Sequence, residues 1–283
     1  MSACKSQLVI INTRPVAQAA ALTKLLQDNH FKVVELPLIE IKDTLSEVNL
    51  YKYQNHLENA DLLIFISANA VAFYFKHFFK GESIVNDSLF KKIPVAVIGK
   101  STAEVFAQYA GRKADIIPQS GSDSESLLAH PYLTQLVSQQ GDKKKILIVR
   151  GQGGREFLAK QLRLKNAMVD YLEVYRRVCP TYNEIYLNDL WRNLWNKKAI
   201  GFMIITSGES LDNLMQLSKK LELSLVLKTN LIVIHKKIQD KAIQYGFSGR
   251  ILVSQTASNP SILQMLLNAD KEQELNNLSK KTS

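Results

Sequence analysis

Short apolar runs recur along the chain, and most are too dense to be alternating strands. Leu8 to Asn12, Ala60 to Ile66 and Ile93 to Ile98 are largely apolar at successive positions, the pattern of strands covered on both faces, and Phe31 to Leu36 reads as a further strand. After the first run, Pro15 suits a helix start, and Thr13 is a candidate cap. Ala17, Ala20, Ala21, Leu22, Leu25 and Leu26 then hold helical spacing. Leu38 to Ile41 reads as extended, and Leu45 to Leu57 as a weaker helix. The segment SANAV opens a helix running to Phe79, and KSTAEVFAQYA predicts another, closed by Gly111. A short strand is expected over Ala114 to Ile117, a polar loop over Ser120 to Ser126, and a helix from near Leu127.

The second half replays this order. Strands are predicted over Lys145 to Val149, Met168 to Tyr175, Ile200 to Ile205, Asn230 to Ile234 and Arg250 to Val253. A linking helix is expected over Glu184 to Asn196, and others open at TSGES, HKKIQDK and SNPSILQML. A polar, frayed tail is expected from about Asp270 to Ser283. Matching strands lie about 140 residues apart, Leu8 with Ile146, Leu62 with Phe202 and Val95 with Leu231. This period is far too long for a solenoid. It describes a pseudo-duplicated β/α chain with parallel sheets.

At 283 residues the chain has room for two cores. Hydrophobic residues make up 46% and charged ones 22%, ordinary for a soluble globular protein. No apolar run is long enough to cross a membrane. The opening residues carry Lys5 and a strand-like run rather than a signal-peptide core, and the two cysteines, Cys4 and Cys179, make no disulfide framework. A cytoplasmic protein is therefore expected. The net charge of +10 suits an anionic partner, although it equally fits a solvated basic surface. The lysines lie in short clusters such as Lys143 to Lys145 and Lys197–Lys198, with no nucleic-acid-binding signature, so no nucleic-acid partner is expected.

The turn Arg150-Gly151-Gln152-Gly153-Gly154-Arg155-Glu156 stands between a strand and a helix, the context of a dinucleotide fingerprint. Glu156 occupies the place of the last glycine, and no P-loop Lys-Ser/Thr follows, so a classical nucleotide site is not expected. What remains is a helix N-terminus with Arg155 beside it, suited to a carboxylate or phosphate. The plainer alternative is a tight turn whose glycines serve geometry alone. Other strand-end turns carry small polar or basic residues: Thr13-Arg14, Ser67-Ala68-Asn69, Gly99-Lys100-Ser101-Thr102, Ser207-Gly208-Glu209 and His235-Lys236-Lys237. Any one of them alone is an ordinary helix cap; together they suggest donors converging on an anion. The five histidines show no metal-ligand spacing, and no metal or cofactor is expected. Tyr175, at a strand end beside Arg176 and Arg177, is the titratable group of interest, since two arginines favour phenolate character, against the ordinary role of a packed strand tyrosine.

Taken in order, TRP after the first strand, FISANAV, VAVIGKSTAEVF, LIVRGQGGREFLAKQL, EVYRR and ITSGES resemble the uroporphyrinogen-III synthase family over about Leu8 to Leu267. The resemblance implies two flavodoxin-like α/β domains joined by a two-stranded connector, with a cleft between them. It implies one domain of residues 1–36 plus 179–283, another of 40–174, and connectors at 37–39 and 175–178. The reaction it implies cyclises hydroxymethylbilane, a linear tetrapyrrole with eight carboxylates, with loss of water and inversion of the last ring. Tyr175 resembles the family's tyrosine near the leaving hydroxyl, Thr102, Ser67 and Ser207 its strand-end hydroxyls, and Arg155 the arginine after the glycine turn. Arg14 matches an arginine common in bacterial members. Asn69, Gly99, Ser101, Gly151 and Gly208 complete the expected binding turns. The run His235-Lys236-Lys237-Ile238 departs from the family's small residues, so the hydroxyl contact expected at Ile238 is missing and Lys236 or Lys237 is expected to supply charge instead. A monomer acting on a small-molecule polycarboxylate is expected. The rival reading is a non-catalytic two-domain protein closing on an anionic metabolite. A fused pair of receiver-like domains is disfavoured, because Asn12-Thr13-Arg14 is the opposite of an acidic pocket.

Overall fold

The computed structural model describes residues 8–45, 53, 56–79, 92–119, 121, 123–138, 141–196, 200–219 and 223–279. Most of the weaker helix expected over Leu45 to Leu57 lies outside these residues, as do Cys4, Ser120, Lys197 and Lys198. The strands are β1 (Val9–Asn12), β2 (Lys32–Glu35), β3 (Glu40–Asp43), β4 (Leu62–Phe65), β5 (Val95–Val97), β6 (Lys145–Gly151), β7 (Met168–Val178), β8 (Ile200–Ile205), β9 (Leu231–Val233) and β10 (Ile251–Val253). The helices are α1 (Val16–Asp28), α2 (Ala68–Phe78), α3 (Lys100–Ala110), α4 (Ser124–Leu128), α5 (Pro131–Ser138), α6 (Phe157–Leu164), α7 (Glu184–Asn196), α8 (Gly208–Ser218), α9 (Leu223–Leu227), α10 (Lys236–Gln244) and α11 (Asn259–Ser279).

Two compact units result, one from Met1–Glu40 with Val178–Ser283, the other from Ile41–Arg177, each within its described residues. The first carries the sheet β10-β9-β8-β1-β2, the second β3-β7-β6-β4-β5. The pairs β1–β2, β1–β8, β8–β9 and β9–β10 are parallel, as are β4–β5, β4–β6 and β6–β7. Ile116 adds one parallel bridge to Ala96 at the β5 edge, where a full short strand was expected. The first two strands of each sequence half therefore sit in one sheet with the later strands of the other half. In both sheets the order reverses beside a central pair, β1 against β8 and β6 against β4.

The dense apolar runs have a direct physical cause. Successive strand residues point to opposite faces, and each face meets its own core. Val9 and Ile11 join one cluster of the first unit, and Ile10 joins the other. In the second unit Leu63 and Phe65 pack on one side of β4, Leu62 and Ile64 on the other. Each such buried side chain stabilises its unit by roughly 1.5–3 kcal/mol, so a charge at Ile10 or Ile64 would break its sheet. Helices supply the covering stripes, as Ala19, Leu22 and Leu26 do on α1.

Some local expectations change. Thr13 does not cap α1; its side chain is buried and its hydroxyl donates to the Ile204 carbonyl at 2.5 Å. The helix expected near Leu127 starts at Ser124, because the Asp123 side chain accepts from the Ser126 N–H at 2.8 Å. Arg150 and Gly151 belong to β6 rather than to the turn. Of the residues expected as connectors, Leu38 lies in the first unit's core and Tyr175 in the second's. Helix α11 continues through Ser279, past the point where fraying was expected. No described helix is long and apolar enough to cross a membrane.

Candidate active site

In open α/β sheets a crevice forms outside the carboxyl ends of the strands where the order reverses. In the second unit that seam lies between β6 and β4. A pocket of about 320 Å³ opens there, and Ser67, Arg150, Gly151, Arg155, Tyr175 and Arg177 are among its lining residues.

Ser67 follows β4 and caps α2, its hydroxyl accepting from the Ala70 N–H at 3.0 Å. The same oxygen lies 3.1 Å from the Tyr175 hydroxyl. The Tyr175 ring is only 3% exposed and stacks on Phe73, centroids 5.8 Å apart. It also lies flat against Gly151, where a Cβ would come within 2.6 Å of two ring carbons. Gly151 is therefore required by close approach. Arg177 stands over the ring at 6.0 Å from its centroid.

A register shift between Arg150 and Gly151 places Gly151 opposite Tyr175. A strict two-residue period would put Tyr175 on the side of Tyr171 and Glu173. The irregularity turns it instead into the core that holds Leu172 and Val174.

Arg150 was noticed in the turn but given no role; its side chain is 2% exposed. Its Nη1 donates to Glu156 Oε1 at 3.0 Å, and its Nε donates to the Gly151 carbonyl at 3.1 Å and faces Glu173 at 3.8 Å. The guanidinium lies 4.4 Å from the Tyr171 ring centroid, and the Tyr171 hydroxyl donates to Glu156 Oε2 at 2.5 Å. The Tyr171 hydrogen bond, then that of Arg150, holds the Glu156 carboxyl below its ordinary range. Burial, then the Glu156 bond, raises the Tyr171 phenol. One signal could have found this cluster: a single arginine closing the apolar run Ile-Leu-Ile-Val. Arg155, by contrast, is exposed and has no hydrogen-bond or ion-pair partner among the described residues.

The other expected residues are placed as follows. Asn69 is in the first turn of α2 and half-buried. Gly99 precedes α3 in extended conformation, Ser101 is exposed, and Thr102 is buried at 2%. In the first unit, Arg14 donates to Asn259 Oδ1 at 2.6 Å and to the Ala257 carbonyl at 2.8 Å, and burial lowers its pKa from the ordinary arginine value. Ser207 caps α8, accepting from the Ser210 N–H at 3.0 Å. Gly208 begins that helix, and its carbonyl accepts from Lys241 at 3.4 Å. His235 caps α10 with Nδ1, accepting from the Lys237 N–H at 3.1 Å, while the Lys237 side chain is exposed. Ile238, the expected missing hydroxyl, is buried at 7%. Ser67, Gly151, Arg155 and Tyr175 are thus brought to one pocket. Arg14 is tied within its own unit. Among the described residues no group of His, Cys, Asp and Glu is suited to a metal ion.

Parallel sheets covered on both faces, with a pocket at the strand ends where the order reverses, define a class: doubly wound α/β proteins with a crevice at the sheet's switch point. The family model for uroporphyrinogen-III synthase HemD matches residues 20–264, and the chain belongs to this family. It is 34% identical over 184 residues to a uroporphyrinogen-III synthase of Proteus mirabilis, covering 65% of this chain and 87% of that protein. It is 28% identical over 259 residues to the Escherichia coli synthase, covering 91% and 99%. Crystal structures of the enzymes from Thermus thermophilus (TM-score 0.57, 13% identity, 94% and 99% covered) and Helicobacter pylori (0.52, 15%, 92% and 99%) share the fold.

Proposed function

We propose that this chain is a carbon–oxygen lyase that cyclises hydroxymethylbilane, with loss of water and inversion of the last ring, to uroporphyrinogen III. Family membership supports the reaction, and one observation carries the chemistry. A phenol in contact with a capped helix N-terminus stands beside buried and rim arginines in a single pocket. Tyr175 donates its proton to the departing hydroxyl of the bilane. The Ser67 hydroxyl, whose oxygen already accepts from the helix N–H, turns its own proton to the phenolic oxygen left behind. The positive end of α2 favours the charge that forms. The substrate's carboxylates meet backbone N–H groups and arginines, and a curled chain places its ends in attacking geometry.

The finer arrangement belongs to the same proposal. Each unit is flavodoxin-like, with residues 37–39 and 175–178 as the connectors. Arg14, Asn69, Gly99, Ser101, Thr102, Ser207, Gly208 and Lys237 contribute further contacts to the substrate. The enzyme works as a cytoplasmic monomer with no cofactor, because the pyrroles supply the electrons. Purified protein given freshly made hydroxymethylbilane is expected to yield mainly the type III isomer after oxidation and separation. A product that is only the type I isomer, which the free substrate forms unaided, would sink the proposal.

A further inference from the structure

We infer that Arg150, rather than the exposed Arg155, holds a substrate carboxylate in the second unit's pocket, with Tyr171 and Glu156 as its positioning residues. The inference rests on the synthase reading above. A guanidinium offers five N–H donors in a rigid fork that matches a carboxylate. Here Nε faces Gly151 and Glu173, and Nη1 serves Glu156. Nη2 has no hydrogen-bond partner among the described residues. The group is 2% exposed and yet lines the pocket. A donor at the wall of a pocket is met there by solvent or by a ligand.

Gly154 lies against the guanidinium: a Cβ there would come within 2.8 Å of Nη2, 3.1 Å of Cζ and 3.2 Å of Nε, so the missing side chain leaves the group room. The plane of the fork is fixed from two directions, by the Tyr171 ring beneath it and by Glu156, which the Tyr171 hydroxyl also holds. Arg155 has no comparable support and would have to be immobilised on binding. Arg150 is also the chain neighbour of Gly151, which touches the Tyr175 ring. A carboxylate on Nη2 therefore sets the substrate's position relative to the candidate acid.

The test is steady-state kinetics of the full chain with hydroxymethylbilane, together with isomer analysis and melting curves. Arg150→Lys is expected to raise KM about ten-fold or more, with a smaller change in kcat, as a charge-assisted contact is lost. Gly154→Ala, whose methyl crowds the guanidinium, is expected to raise KM while the protein stays folded, with a cooperative melt. Tyr171→Phe, which keeps the ring under the guanidinium, is expected to raise KM less than Tyr171→Leu. Wild-type KM in both Arg150→Lys and Gly154→Ala would overturn the inference. So would a collapse of melting temperature in Arg150→Lys alongside a normal KM in Gly154→Ala, which assigns Arg150 a structural role. Only type I product from the wild type overturns the synthase reading and this inference with it.

Discussion

At the β1–β8 seam of the first unit, the polar side chains are bound to their own unit. Thr13 donates to a neighbouring strand, Asn12 donates to Ala19 and Thr23, and Arg14 donates to Ala257 just before α11 and to Asn259 at its start. At the β6–β4 seam of the second unit, a pocket stays open around Arg150, Arg155, Arg177 and Tyr175. The helix pairs beside the seams differ as well. Lys241 and Tyr245 fasten α10 to Asp212 on α8, at 2.6 and 2.5 Å. The counterparts α2 and α3 meet through rings, Phe75 against Tyr109 at 5.3 Å and Phe75 against Phe106 at 6.1 Å. One strand order thus supports a seam where Asn12, Thr13 and Arg14 bond within their own unit and a seam where arginines and a phenol line a pocket. Topology sets where a ligand can bind, and the partners of each side chain decide whether it is free to bind one.

The sharpest way to break this contrast is Tyr175→Phe. If the open seam carries the chemistry, kcat falls by about ten-fold or more, within the range of general acid catalysis. An unchanged kcat would remove the acid role from Tyr175 while leaving the family assignment intact. Gly151→Ala comes next. The new methyl meets the Tyr175 ring, which Phe73 backs, so a loss of about 1–3 kcal/mol in urea unfolding and a lower kcat are expected. A stable and fully active variant would show that the close approach is unimportant.

Ser67→Ala and Ser207→Ala compare the seams directly. Both remove a helix cap and should cost about 1 kcal/mol each in melting experiments. Only Ser67 touches the phenol, so only Ser67→Ala should alter the pH profile of kcat. Identical profiles in the two variants would erase the distinction.

The smallest expected effect is in the polar helix pair. Burial pushes the Asp212 carboxyl up, but its bonds to Lys241 and Tyr245 outweigh this and leave it below the ordinary range. A depressed carboxyl stabilises the native state above the unfolded pKa, and this is lost as pH falls through the folded one. Asp212→Asn should therefore lower stability near neutral pH by about 0.2–1 kcal/mol, because the pair is partly exposed. Its stability should then approach that of the wild type in acid. An equal deficit across the whole acid range would remove the ion-pair explanation.

Much of the fold was legible because its cause is local. The dense runs at Leu62 to Phe65 and Ile146 to Val149 declare strands with a core on each side. Ser67 and Ser207 declare helix starts through their position before an apolar stripe. The ordered motifs are enough to point to the family, and Ser67, Gly151, Arg155 and Tyr175, all legible in its motifs, line one pocket. Less legible was anything that depends on a partner distant in sequence. Thr13 looks like a cap until Ile204 lies beside it, and Arg14 looks free until Asn259 is placed.

By itself, then, the amino-acid order determined two β/α halves, their strand and helix segments and the turns able to hold an anion, because period and capping are read within a few residues. Only the tertiary structure decided which turns remain available. The irregularity opposite Gly151 turns Tyr175 away from the side its spacing assigns and onto Phe73 and Ser67. Arg150, an arginine at the end of an apolar strand, becomes a fixed fork only when Tyr171 and Glu156 fold against it. Both outcomes rest on register between strands that no local pattern encodes, since a one-residue shift moves every following side chain to the other face.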